Sequence, residues 1–144
     1  MEFSSEGAFV FLRVDAGEEL VACLRSLASE LSIETATIVS GVGMLNGARL
    51  GFFSATQDKY DETAFDGIYD LSSVHGNITR MNGKPHPHVH VTFNDSQHVT
   101  YSGHLMQATC HLTMELWLLR LDVLKLQRQA IEGRPSSRIV KLQR

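Results

Sequence analysis

The 144-residue sequence has no apolar run of the ~20 residues that a membrane-spanning helix needs, and no charged amino terminus leading into an apolar segment. We therefore expect neither a membrane span nor a secretory signal, and we expect a cytoplasmic protein. Cysteine is also scarce. Cys23 and Cys110 both lie in apolar surroundings, which favours buried free thiols in a reducing compartment over a disulfide.

Charged residues are few and unevenly distributed. They make up 20% of the sequence, and the formal net charge is −3. From Arg120 to the carboxyl end, seven Lys or Arg stand against Asp122 and Glu132, so this segment is basic and the preceding residues are acidic. A basic tail can contact nucleic acid, but solvated surface charge is the commoner explanation. The acidic body does not resemble a DNA-binding surface.

The apolar pattern predicts one domain built mainly of strands. With 43% apolar residues, a chain of this length can form one core and is short for two. Leucines at helical spacing predict a long amphipathic helix over residues 18–31. Apolar, β-branched and alternating runs predict strands over 9–14, 35–40, 48–53, 68–80, 87–93, 98–105 and 109–119, with an exposed acidic loop over 57–66. This order favours a compact single α+β domain, a mainly antiparallel sheet with the long helix packed on it.

The segment of residues 84–105, KPHPHVHVTFNDSQHVTYSGHL, contains five of the seven histidines. They alternate with apolar residues at period two, which is typical of half-buried strands. The dipeptide Asn82-Gly83 before the segment is a strong signal for a two-residue hairpin turn. Within the segment, Asp95-Ser96-Gln97 has the composition of a turn. We therefore predict a second hairpin, closed by a three-residue loop.

The register of this second hairpin decides which histidines meet. With a three-residue loop, His88 lies opposite His104, and His90 lies opposite Ser102. Directly opposed residues share a face of the sheet, with Cβ atoms roughly 5 Å apart. The imidazoles of His88, His90 and His104 are therefore predicted to lie together on the polar face. A two-residue loop would place His88 and His104 on opposite faces.

Three imidazoles on one face predict a metal centre. Neutral imidazoles suit Zn²⁺ at ~2.0–2.1 Å, and three protein ligands leave a fourth coordination position for water or a ligand. Nickel, copper and iron also accept imidazole, so the identity of the metal stays open. His86 has the same parity, but the prolines on both sides of it are expected to distort the strand. The other histidines, His75, His98 and His111, are expected to be structural or surface residues.

Several segments resemble a known family. They are GEELVACLRSLASELSIETATIVSGVGMLNGARLG, HGNITRMNGKPHPHVHVTF, SGHL and TMELW. On these motifs the sequence resembles the PPC domain family, the plant and prokaryote conserved domain also called DUF296, and in particular its stand-alone prokaryotic members. The resemblance implies that residues 1–121 form the PPC domain. Residues 122–144 would be a basic carboxyl-terminal tail, packed on the same domain or extending from it.

The resemblance also implies a homotrimer and, in some prokaryotic members, a metal, commonly zinc, bound by histidines. By motif position the ligands would be His88 and His90 from HVH and His104 from GHL. Ser102 stands where many relatives have a second glycine. Plant relatives carry AT-hook segments that bind DNA. We expect none here, since the GRP of the tail follows Glu132 where a hook has arginine, and we therefore expect no nucleic-acid partner.

Three hypotheses for the function remain open. The first, which we favour, is a homotrimeric metal-binding protein of undefined biochemical role that binds or senses a small molecule. The second is a zinc-dependent hydrolase, lyase or decarboxylase acting on a small oxygenated substrate. For this enzyme, Glu115 and Asn77 are candidate catalytic residues, because they lie in matching family segments on neighbouring strands. The third is a DNA-associated regulator in which the domain supplies oligomerisation.

Overall fold

The structure, a computed structural model, describes residues 1–134 and 136–143. Their backbone forms one helix and eight strands: β1 (Glu2–Glu6), β2 (Phe9–Asp15), α1 (Leu20–Glu30), β3 (Ala36–Ser54), β4 (Lys59–Met81), β5 (Lys84–Asn94), β6 (Thr100–Arg120), β7 (Lys125–Ala130) and β8 (Ser137–Gln143). No helix among these residues is both long and apolar enough to cross a membrane.

The strands form one sheet in the order β1-β2-β6-β3-β4-β7-β8, and β5 pairs with both β4 and β6. Among the described residues every strand pairing is antiparallel except the short parallel contact between β4 and β7, so the predicted mainly antiparallel sheet is confirmed. The strands β3, β4, β5 and β6 close into a cycle, because each pairs with two of the others. Strand β5, which carries three histidines, therefore has neighbours on both edges.

Two of the predicted element boundaries are wrong. Residues 57–66 are mostly strand, because β3 and β4 continue as a hairpin as far as the pair Ser54 and Lys59. Most of this part of β4 is exposed, and its two partly buried aromatic residues, Tyr60 and Phe65, do not follow a period of two, so its sequence carries no apolar stripe. The predicted strands 35–40 and 48–53 are both parts of the single long strand β3. Its register shifts at Gly47, whose φ of +83° suits a glycine.

Helix α1 has 11 residues, so the prediction of a long helix is wrong. The carboxylate of Glu19 caps its amino end and accepts hydrogen bonds from the N–H groups of Val21, at 2.9 Å, and Ala22, at 2.7 Å. The predicted leucine stripe is confirmed for Leu20, Leu24 and Leu27, which are fully buried. Since α1 packs on β5 and β6, each of these leucines contributes about 2 kcal/mol of burial free energy.

The apolar face of β5 lies under this helix. Val89, Val91 and Phe93 are buried, as their odd positions predict, and they join one core with the helix. The two thiols are buried and free, which confirms that prediction. Burial raises the pKa of Cys23 to about 11, so this thiol stays protonated at neutral pH.

The end of the chain contributes the hairpin of β7 and β8. Strand β7 lies beside the end of β4, where Arg80 pairs with Gln127 and Met81 pairs with Arg128. This parallel contact brings the side chain of Arg128 to the polar face of β5.

Candidate metal centre

The observed register of β5 and β6 differs from the predicted one. His90 lies opposite His104, and Thr92 lies opposite Ser102. The predicted pairs of His88 with His104 and of His90 with Ser102 are therefore wrong by two residues. A register shift of two residues leaves every side chain on the same face of the sheet. For this reason the three histidines still share one face.

The loop itself explains the shift. It spans residues 95–99, five residues instead of three. The Asp95 carboxylate accepts hydrogen bonds from the backbone N–H groups of Gln97, at 2.9 Å, and Val99, at 3.0 Å. His98 adopts a left-handed backbone conformation, with φ +63°. These side-chain contacts stabilise a longer turn than the composition indicates.

The three histidines have the spacing of a ligand set. One ring nitrogen from each of His88, His90 and His104 lies within 4.8 Å of the others. The ring centroids are 5.0 to 5.4 Å apart. Two nitrogens bound to one tetrahedral Zn²⁺ at ~2.1 Å lie about 3.4 Å apart, so modest side-chain rotations bring the rings to bonding distance. Among the described residues no other group of three His, Cys, Asp or Glu is so placed.

Strand β4 supports the ligand strand from one side. His75, Gly76 and Asn77 lie opposite His90, Val89 and His88, respectively. A Cβ atom on Gly76 would lie 2.0 Å from the carbonyl oxygen of His88, and the φ of this glycine is +150°. This glycine therefore allows a close approach of the two strands, and the register has no bulge there.

A second glycine creates space on the other side. Gly51 of β3 lies between His104 of β6 and Glu62 of β4, opposite both. A Cβ there would lie 3.0 Å from the Tyr60 ring and 3.1 Å from the sulfur of Met106. Because Gly51 has no Cβ atom, Tyr60 can stack on the imidazole of His104, with ring centroids 5.4 Å apart. The tyrosine is absent from the sequence-based set because its strand resembles a loop.

Arg128 is the other residue absent from that set. Its Nε donates to the hydroxyl of Thr79, and its Nη2 donates to the amide oxygen of Asn77, both at 3.1 Å. Nη2 also lies 3.1 Å from Nδ1 of His88. Arginine has no acceptor, so Nδ1 accepts this hydrogen bond. In the sequence, Arg128 is one of several basic residues in a polar tail and carries no further signal.

The site keeps the imidazoles of His88 and His104 neutral. Burial lowers the pKa of His88 to about 4, and the charge of Arg128 adds to this effect. Burial also lowers the pKa of His104. Neutral imidazole is the form that coordinates a metal, so no proton has to be removed from these two ligands at neutral pH.

Beside the histidines lies an open cavity of about 590 Å³. Its wall includes His88, His104, Tyr60, Glu62, Met106 and Arg128. His86 lines it too, and burial lowers the pKa of His86 as well. The volume lies within the roughly 300–1,000 Å³ typical of small-molecule sites.

The two predicted catalytic candidates lie in different places. Asn77 is opposite His88 and bonded to Arg128, so it belongs to the surroundings of the histidines. Glu115 is eleven residues beyond His104 on β6, a path of roughly 35 Å along an extended strand, and lies opposite Arg13 and Val42. The structure does not bring Glu115 to the histidine cluster.

Comparison with known proteins gives consistent matches. The family model of the Plants and Prokaryotes Conserved (PCC) domain matches residues 1–122. A plant- and prokaryote-conserved (PPC) protein of Pyrococcus horikoshii is 30% identical, with a TM-score of 0.82 over 91% of this chain and 90% of that one. A metal-containing protein of Archaeoglobus fulgidus is 26% identical, with a TM-score of 0.84 over 98% and 99%.

A third solved structure shares the fold at lower identity. It is a Bacteroides thetaiotaomicron protein described as a "putative dna binding protein", 22% identical, with a TM-score of 0.90 over 96% of both chains. A search of the curated proteins finds no significant match.

Proposed function

Since the chain belongs to the Plants and Prokaryotes Conserved (PCC) domain family, which is the family that its motifs resemble, we propose that it is a zinc-binding protein with a small-molecule site. In this proposal His88, His90 and His104 hold the metal. The observation that carries it is the convergence of three ring nitrogens within 4.8 Å on one face. Bound zinc would supply a Lewis acid with one coordination position left for a ligand.

Two further observations support the proposal. The histidines with lowered pKa are neutral at neutral pH, as ligands must be. A structural neighbour of 26% identity is described as a metal-containing protein. We choose zinc because three imidazoles with an open fourth position are a common zinc donor set. Other imidazole-binding metals remain outcomes of the test.

Metal analysis of the purified protein tests the proposal. We expect about one zinc per chain in the wild type and a loss of most of it in His88→Ala, His90→Ala and His104→Ala. His111→Ala is the matched control, since this histidine lies on β6 outside the cluster. Equal metal content in all variants would reject the assignment of these ligands.

We further propose that the protein is a homotrimer, as its family resemblance implies. The support is an exposed apolar surface on the outer face of β2, β6 and β3, where Phe9, Trp117 and Val42 are each 49% exposed. Apolar side chains grouped in this way are typical of subunit interfaces. Sedimentation should give three times the chain mass of 16.0 kDa, and Trp117→Glu should yield monomers. A monomeric wild type would reject this proposal.

A zinc-dependent enzyme is the second candidate function. One observation favours it: Glu62, a carboxylate suited to acid–base chemistry, lines the same cavity as His88 and His104. Hydrolysis of 4-nitrophenyl acetate is a simple probe. Zinc-dependent turnover that falls at least tenfold in Glu62→Gln, with unchanged metal content, would support an enzyme. Turnover equal to that of free zinc would argue against it.

A further inference from the structure

The hydrogen bond between Arg128 and His88 cannot persist when a metal is bound. A neutral imidazole has one lone pair and one N–H group. If a metal takes the lone pair of His88, the other nitrogen carries a proton, and the arginine can only donate. The 3.1 Å contact between Nη2 and Nδ1 is therefore lost whichever nitrogen binds the metal. Arg128 and the metal compete for this histidine.

The guanidinium nevertheless stays close to the site. Its bonds to Thr79 and Asn77 do not involve the histidine and can persist. Nη1 makes no side-chain hydrogen bond within the part of the chain that the structure describes. Metal binding thus leaves donors of Nη1 and Nη2 without a side-chain acceptor among the described residues, on an arginine that lines the cavity.

Arg128 also differs from the other cations of the cavity. Lys59 lies 3.8 Å from Asp61, and Arg134 lies 3.6 Å from Asp58. Arg128 forms no salt bridge with any described carboxylate. A partly buried cation beside a divalent metal is electrostatically costly unless an anion lies between them.

The cavity wall indicates which anion fits. The described lining residues come from strands and the segment between β7 and β8, and none of them lies at a helix amino terminus, a common site for a phosphate. Tyr60, Met81 and Met106 give the wall an apolar part. The planar fork of arginine matches both carboxylates and phosphates, and the apolar part of the wall favours an anion that carries an apolar group.

We infer that the cavity binds a small organic carboxylate, with Arg128 as the residue that positions it next to the metal. This inference rests on the proposed function, because it requires a metal on the histidines. In the metal-free protein, Arg128 donates a hydrogen bond to His88. In the metal-loaded protein it turns its free donors to the carboxylate, whose apolar part lies against Tyr60 and the methionines. Metal and carboxylate therefore bind cooperatively.

Cobalt-loaded protein gives a direct test, since the visible spectrum of Co²⁺ reports a new ligand. We would titrate isobutyrate and, separately, inorganic phosphate into wild type, Arg128→Gln, Arg128→Lys and the control Lys125→Gln. The control removes a positive charge from the same strand, at an exposed position outside the cavity. We expect Arg128→Gln to weaken isobutyrate binding at least tenfold, Arg128→Lys less, and the control less than twofold.

The metal affinity provides a second readout. Arg128→Gln removes both the competition for His88 and a neighbouring positive charge, so it should bind Co²⁺ severalfold more tightly in the absence of anion. If Arg128 had a merely structural role, Arg128→Gln would weaken the binding of both Co²⁺ and isobutyrate. Metal binding in the wild type with equal isobutyrate affinity in Arg128→Gln would overturn this inference alone. Absence of metal binding would overturn the proposed function as well.

The wild type alone also tests the inference if the variants fail to fold. Isobutyrate should bind at least tenfold more weakly to metal-free than to cobalt-loaded protein. Equal binding to both forms would overturn the inference. Tighter binding of phosphate than of isobutyrate would overturn the assignment to a carboxylate.

Discussion

Gly76 lies so close to His88 that a Cβ atom at position 76 would be 2.0 Å from the His88 carbonyl oxygen. The clash would be between the added Cβ and a backbone atom of β5, so no side-chain rotation could relieve it. This glycine therefore determines how near the ligand strand lies to its neighbour.

Gly76→Ala should lower the free energy of unfolding by about 2–4 kcal/mol, because it adds both backbone strain and this clash. Urea denaturation measures the change. Gly67→Ala is the matched control, since Gly67 also has a positive φ, +113°, but no atom within 4 Å of its Cβ position. Equal losses in the two variants would show that the contact with His88 has no role.

Zinc should stabilise the protein in a concentration-dependent way. At a free concentration 1,000 times its Kd, a metal that binds only the folded state adds about 4 kcal/mol to the free energy of unfolding. Thermal melts with zinc and with EDTA measure this difference. His90→Ala should abolish it, and His111→Ala should retain it. A zinc effect of the same size in His90→Ala would contradict the ligand assignment.

The metal-free protein should lose stability as the pH falls from about 6.5 to about 4. His88 has a pKa of about 4 in the folded state and about 6.5 when unfolded, so only the unfolded chain takes up its proton in this range. Above pH 6.5 His88 is neutral in both the folded and the unfolded state, and its contribution to stability is fully present. The loss from this group is at most about 3 kcal/mol, since His88 is only partly buried.

Unfolding experiments at fixed pH values, with EDTA present, measure this slope. His88→Asn should make the slope smaller, because asparagine keeps a polar side chain and does not titrate, while His86 and His104, whose pKa values are also lowered, still contribute. An unchanged slope in His88→Asn would show that other groups cause the pH dependence.

Glu19→Ala should lower the free energy of unfolding by about 1 kcal/mol, the usual value for the loss of a helix cap. The carboxylate of Glu19 accepts hydrogen bonds at the start of α1 and also from the N–H of Ala108 on β6, at 3.3 Å. Glu30→Ala, an exposed glutamate at the other end of the helix, is the control and should change the stability by less than about 0.5 kcal/mol. If Glu19→Ala left the free energy of unfolding unchanged, water would be replacing the cap.

The intact protein should not retard DNA in a gel at low salt. Arg128, one of the cations of the basic tail, is engaged by Thr79 and Asn77 beside β5. The remaining positive charges are opposed by an acidic body. Retardation that disappears on Lys125→Gln with Arg138→Gln would contradict this expectation and favour a nucleic-acid partner.

The sequence predicts the shared face of the histidines because a strand has a period of exactly two residues. His88, His90 and His104 keep that face in any register that differs by an even number. The register itself depends on hydrogen bonds of the Asp95 side chain, which composition does not reveal. Similarly, the helix begins at Leu20 and not at Glu18 because Glu19 serves as its amino-terminal cap.

The rest of the site depends on pairings between distant parts of the chain. Arg128 reaches His88 because β7 lies parallel to the end of β4. Tyr60 reaches His104 because Gly51 between them lacks a side chain. A parallel contact of two residue pairs and a missing Cβ leave no periodic signal in a single sequence.

The cycle of β3, β4, β5 and β6 has a kinetic consequence. Its closure requires Ala36 to pair with both Ile78 and Arg120, which are far apart along the chain. Such non-local pairings form slowly, and an isolated hairpin of β5 and β6 is marginal in water. Zinc would therefore find its complete ligand set only after most of the sheet has assembled, so metal uptake should follow folding rather than nucleate it.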